Sequence, residues 1–196
     1  MKSPILLIIL LLIGAVLIQR SFRRSSMLSV YQRTNIAKTV KIMEMKILSS
    51  AFAHQRSIPV KYTCDGEKIN PPLEITGVPE NAKSLALIMD DPDVPKDLRP
   101  DGMYVHWILW NIDPKTESIT EHSVPAGAVE GVTTAGNPGY RGPCPPDREH
   151  RYFFKLYALD TILVMDSSAD KVALENAMQG HIVAQAELVG VYDRKR

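Results

Sequence analysis

Residues 84–112 read SLALIMDDPDVPKDLRPDGMYVHWILWNI, and the fold follows from this stretch. Ser84 to Met89 is a short apolar run, and His106 to Ile112 is a second one. Runs this short, bounded by turn residues, are strands rather than helices. The segment Asp90-Asp91-Pro92-Asp93-Val94-Pro95 leaves the end of the first strand, and His106 begins the second. If the two pair antiparallel, Asp91 and His106 meet at one end of the sheet despite the loop between them. A carboxylate beside an imidazole fixes its tautomer and favours its protonated form.

The rest of the chain supports a mainly β fold. Thirteen of the fourteen prolines lie between Pro59 and Pro146. A proline inside a helix costs about 3 kcal/mol, so no long helix fits that interval. Arg151 to Leu159 is a third strand, rich in aromatics. Val183 to Tyr192 alternates, with Gln185 and Glu187 on one face and Ala184, Ala186, Leu188 and Tyr192 on the other. That is the pattern of a half-buried strand. One helix is credible near residues 170–178: Ser168 or Asp170 caps it, Leu174 and Met178 share a stripe, and Gly180 suits its end. Many strands and one late helix predict an antiparallel sandwich with a peripheral helix.

Composition narrows the function. The chain has 196 residues, 45% hydrophobic and 23% charged, which excludes a disordered protein. Its net charge of +1 argues against a nucleic-acid partner. The charge is uneven: residues 1–44 hold seven Lys or Arg and one acid, against sixteen and twenty-one in residues 45–196. Ile5 to Ile18 is uninterruptedly apolar, between the usual lengths of a signal core and a membrane span. Residues 1–24 are therefore expected to be a membrane anchor with a basic flank. The alternatives are a signal segment on an exported protein, or a cytoplasmic protein starting at Met43 or Met45. Residues 25–44 read as a linker whose basic residues suit anionic lipid, and residues 45–196 as the folded domain.

A second cluster joins the first. Gly139-Tyr140-Arg141-Gly142-Pro143-Cys144-Pro145-Pro146 is followed by His150-Arg151-Tyr152 at the mouth of the third strand. The prolines pre-set the backbone, and Gly142 permits close approach of a main-chain N–H to a ligand. Two histidines, an aspartate, a glycine amide and a tyrosine hydroxyl together make an anion receptor. Imidazolium and N–H groups donate charge-assisted hydrogen bonds to phosphate or carboxylate oxygens. On that reading, binding weakens above neutral pH as the histidines lose protons.

The runs DDPDVP, HWILWNI, GYRGPCPP, HRYFFKLYALD and GHIVAQAELVGVY resemble the phosphatidylethanolamine-binding protein family, in its bacterial and archaeal Raf-kinase-inhibitor-like branch (the YbhB/YbcL type). The resemblance covers about residues 45–193. It implies a two-sheet antiparallel sandwich with Greek-key connections, one or two peripheral helices and a small anion pocket. By the resemblance the pocket comprises Asp91, His106, Gly142, His150 and Tyr152, with Asp93 and Pro95 shaping its wall. It implies a non-enzymatic binding protein for a phosphate-like group or phospholipid head group, needing no cofactor. The alternative is an inhibitor or regulator of a protease or kinase, acting through the loops Pro92–Val105 and Thr134–Arg148. Asp147-Arg148-Glu149 departs from the family's usual small residues and reads as a solvated turn.

Other chemistries fit less well. Asp91, Asp93, His106 and His150 are residue types that ligate zinc or iron, which leaves a metal site as a rival reading. There is no G-x-S-x-G elbow for a hydrolase and no Lys-Ser/Thr after Gly136, Gly139 and Gly142 for a phosphate loop. Cys64 and Cys144 are the only cysteines, each in a turn-like segment. A disulfide between them fits an exported or thermophilic protein, and two free thiols fit a reducing cytosol.

Overall fold

The computed structural model describes residues 44–194. The four strands anticipated from the sequence form the centre of one sheet: β4 (Ser84–Asp91), β5 (Tyr104–Ile112), β8 (His150–Leu159) and β9 (Ile182–Tyr192). With β2 (Arg56–Ser57) and β7 (Val129–Glu130) they make six strands in the order β2-β9-β8-β4-β5-β7. A smaller antiparallel sheet, β1-β3-β6, holds β1 (Lys46–Leu48), β3 (Leu73–Thr76) and β6 (Ser118–Ile119). Pairing is antiparallel except for β2, which runs parallel to β9 through Arg56↔Gly190 and Ser57↔Val191.

β4 lies between β5 and β8 and is buried along its whole length. That explains its continuous apolar run: a strand covered on both faces has no reason to alternate. Leu85, Leu87 and Met89 point into the core with Trp107, Leu109, Phe154 and Leu156. Ala86 and Ile88 point the other way, against Ile108, Trp110 and the helix residues Leu174 and Met178. That helix, α1 (Lys171–Met178), is capped by Asp170, whose side chain accepts the Ala173 N–H at 2.9 Å. Its first residue, Lys171, and Lys155 of β8 both pair with the fully buried Asp90. Consecutive acids at the end of β4 thus face opposite ways, Asp90 toward the helix and Asp91 toward the site.

The expected membrane placement is corrected. Among the described residues no helix is long and apolar enough to cross a membrane; α1 has 8 residues. The segments read as anchor and linker lie outside the described residues, apart from Glu44. The physical reason is length: the eight residues of α1 span about 12 Å, short of a hydrocarbon core of about 30 Å.

Candidate functional site

Antiparallel pairing of β4 with β5 and with β8 brings three expected residues to one sheet end: Asp91 where β4 finishes, His106 near the start of β5, and His150 opening β8. Along β5 the register passes from Met89↔Trp107 to Asp90↔Val105, leaving His106 as the extra residue of a β-bulge. Bulges re-aim side chains beside functional sites, and this one turns the imidazole into the space between the loops after β4 and β7. Its Nδ1–H donates to the Arg141 carbonyl at 2.7 Å, and the Arg141 N–H donates back to the His106 carbonyl at 2.8 Å.

That hydrogen bond fixes the tautomer, because a carbonyl only accepts; Nε2 then carries the lone pair. Burial pushes the His106 pKa down to about 4, outweighing the opposing pull of the Arg141 carbonyl. The ring is therefore neutral at pH 7, not the imidazolium expected from the sequence. A side chain 4% exposed loses more hydration on charging than this single carbonyl returns.

Asp91 meets His150 rather than His106. Its Oδ2 lies 2.7 Å from His150 Nδ1, and its Oδ1 accepts the Asp93 N–H at 2.8 Å. Burial raises the Asp91 pKa above the ordinary carboxylate value, against the lowering effect of these two bonds. The far nitrogen of His150, Nε2, lies 2.8 Å from Asp147 Oδ1. Asp147 is thus engaged with a buried ring instead of standing in a purely solvated turn, and the bond to His150 holds its pKa below the ordinary range.

Asp91 and His106 border a cavity of ≈ 300 Å³. Three expected residues line it: Asp91, His106 and Gly142. His150 and Tyr152 stand behind the wall. Tyr152 packs edge-on against His106, centroids 5.2 Å apart, and its buried hydroxyl has no hydrogen-bond partner. Burial raises its pKa, which keeps the phenol neutral. Asp93 is turned to the outside, where Arg151 grips it through Nε at 2.8 Å and Nη2 at 2.7 Å. Val94, not Pro95, shapes that side of the cavity.

The sequence reading missed the two arginines. Arg99 and Arg141 both line the cavity, with Tyr104 beside them. Arg99 Nε donates to the Met103 carbonyl at 2.7 Å and its Nη2 to Asp101 Oδ2 at 3.0 Å, whereas the Arg141 Nη2 donates to the neutral Asn137 and its Nε is buried without a partner. A signal for Arg141 was present, since it sits between Tyr140 and Gly142 in a run already singled out. Larger open grooves of ≈ 660 and ≈ 760 Å³ lie beside β1 and β3, but neither gathers the residues of this cluster.

Cys64 and Cys144 are joined, with Cα atoms 5.4 Å apart, and Cys144 is in the cavity wall. The Cys64 N–H donates to the Pro143 carbonyl at 3.0 Å. Gly142 lies against the same strip: an added Cβ would stand 2.8 Å from the Thr63 carbonyl carbon and 3.0 Å from the Cys64 nitrogen. Backbone atoms cannot step aside as a flexible side chain would. Gly142→Ala is therefore expected to destabilise the protein by about 2 kcal/mol through overpacking; a denaturant midpoint unchanged from the parent would contradict this contact.

For a metal ion the donors diverge. Among the described residues no three His, Cys, Asp or Glu side chains converge to hold one. Asp93 belongs to Arg151, and His106 spends Nδ1 on a carbonyl.

The fold and its cavity define a two-sheet β-sandwich with a charged pocket at one end of the larger sheet. The family model described as phosphatidylethanolamine-binding protein matches residues 48–193, and the chain belongs to that family. A UPF0098 protein of Chlamydia pneumoniae is 49% identical over 150 residues, 76% of this chain and 99% of its own. A phosphatidylethanolamine-binding protein homolog from Chlamydia trachomatis has a similar crystal structure, with TM-score 0.76 and 47% identity over 78% of this chain and 99% of that one. Escherichia coli YbcL follows with TM-score 0.71 and 29% identity, covering 78% and 99%.

Proposed function

We propose that this family member is a binding protein whose end-of-sheet cavity takes a small anion of the phosphate type, free or as a phospholipid head group. The observation that carries this reading is the pair of guanidinium groups, Arg99 and Arg141, lining one cavity with a neutral His106. Guanidinium donates charge-assisted hydrogen bonds to phosphate oxygens in a fixed fork. His106 Nε2 accepts from the P–OH of a free phosphate or from the ammonium of an ethanolamine head group, so the ring and the arginines address different atoms of one ligand. The positive charge comes from arginine, so the loss of affinity above neutral pH expected from histidine deprotonation is withdrawn for His106. Among the lining residues, Cys144 is tied in the disulfide and the remaining hydroxyl is the phenol of Tyr104. That lining supports holding a ligand rather than attacking it.

Calorimetry with inorganic phosphate tests the reading, with vesicles containing phosphatidylethanolamine as a second arm to separate a free anion from a head group. Arg141→Met is expected to weaken binding about 10- to 100-fold, the range for one charge-assisted hydrogen bond. His106→Asn keeps the donor toward the Arg141 carbonyl but lacks Nε2, and a smaller loss is expected. Unchanged affinity in both variants would overturn the assignment.

A further inference from the structure

Asp147 occupies an unusual position. His150 is 0% exposed, yet its Nε2 ends on the carboxylate of a residue whose side chain is 44% exposed. Its Nδ1 is taken by Asp91 at 2.7 Å. A ring with a carboxylate on each nitrogen has no donor or lone pair left for a ligand. Pro146, immediately before Asp147, lines the cavity, so the acid is joined to the cavity wall through its neighbour in the chain. The other Asp147 oxygen, Oδ2, lies 3.8 Å from Arg148 Nε. Two partners therefore share one carboxylate, an imidazole inside and a guanidinium outside.

We propose that Asp147 is a specificity-determining residue, an internal stand-in for the ligand. Its carboxylate holds the anion position on His150 and yields it, swinging to Arg148, when a phosphate-type group enters from the cavity. This rests on the anion reading above. A tethered carboxylate competes at the high effective concentration of an intramolecular group. A free carboxylate offers the same chemistry without that advantage and loses. A phosphate monoester carries more charge and a third acceptor oxygen, and it displaces Asp147. The residue thereby selects phosphate monoesters over small carboxylates.

The experiment compares the parent with Asp147→Ala and Asp147→Asn, titrating inorganic phosphate and acetate by calorimetry and following the His150 imidazole nitrogens by NMR. Asp147→Ala is expected to bind phosphate about tenfold more tightly, the value of one charge-assisted hydrogen bond at a half-exposed site. Acetate is expected to compete with phosphate in Asp147→Ala and not in the parent, and phosphate to shift the His150 Nε2 resonance in both. Asp147→Asn retains an acceptor without the charge, and an intermediate gain is expected; matched thermal melts show that each variant is folded. Equal phosphate affinity in parent and variants, with His150 unmoved, overturns the competitor role and leaves the cavity reading standing. No phosphate binding by any of the three overturns both.

Discussion

The double substitution Cys64→Ala/Cys144→Ala is expected to lower stability by about 4.5 kcal/mol, which corresponds to a fall in Tm of about 10–15 °C for a chain of this size. The bond joins residues 80 apart in sequence, and the entropy of closing so long a loop sets the magnitude. The native side of the balance adds to it. Cys64 donates to the Pro143 carbonyl, and Gly142 rests on the Thr63–Cys64 backbone, so the bond secures one cavity wall to the turn beneath it. Weaker phosphate binding should accompany the lower stability. Denaturant unfolding of the oxidised parent and the double variant measures the difference, and a loss below about 1 kcal/mol would refute the loop-closure account.

The second large effect is on pH dependence. His106 has a folded-state pKa of about 4 against an ordinary value of 6.5. Between those two values the unfolded chain binds a proton that the folded one refuses, so stability falls as pH drops from about 6.5 to about 4 and levels off below. At 1.36 kcal/mol per unit the loss amounts to about 3 kcal/mol. Asp91 works in the opposite sense, because its raised pKa lets the folded protein take up a proton first. The contrast between parent and His106→Asn removes that shared contribution. The variant should keep about 3 kcal/mol that the parent loses across the window; parallel stability–pH curves would show that burial does not keep this ring neutral.

The sequence was most informative where packing is strongest. Continuous apolar runs marked β4 and β5, alternation marked β9, and Asp170, Leu174 and Met178 located the helix. The small sheet was not legible: its strands are 3, 4 and 2 residues long, too short to show a period. At the site, the convergence of Asp91, His106 and His150 followed from strand ends alone. Which acid faces which ring did not, because the bulge at His106 is a matter of register and leaves no mark in composition. The charge state of His106 was misjudged for a related reason. Its burial depends on Tyr104 and Tyr152, whose rings lie 4.7 and 5.2 Å from it and come from two different strands. Asp147 looked like a solvent-facing turn residue because nothing local signals that a ring three positions later is enclosed.

The parallel pairing of β2 with β9 also bears on how the protein is made. Arg56 finds its strand neighbour at Gly190, and β8 can complete its ladder only once β9 exists. On a ribosome, most of the chain must emerge before the large sheet can close. The first strands then wait, with apolar edges uncovered, until the last ones arrive. Topologies dominated by such distant pairings fold in milliseconds to seconds, and shielding of the nascent chain matters most over that interval.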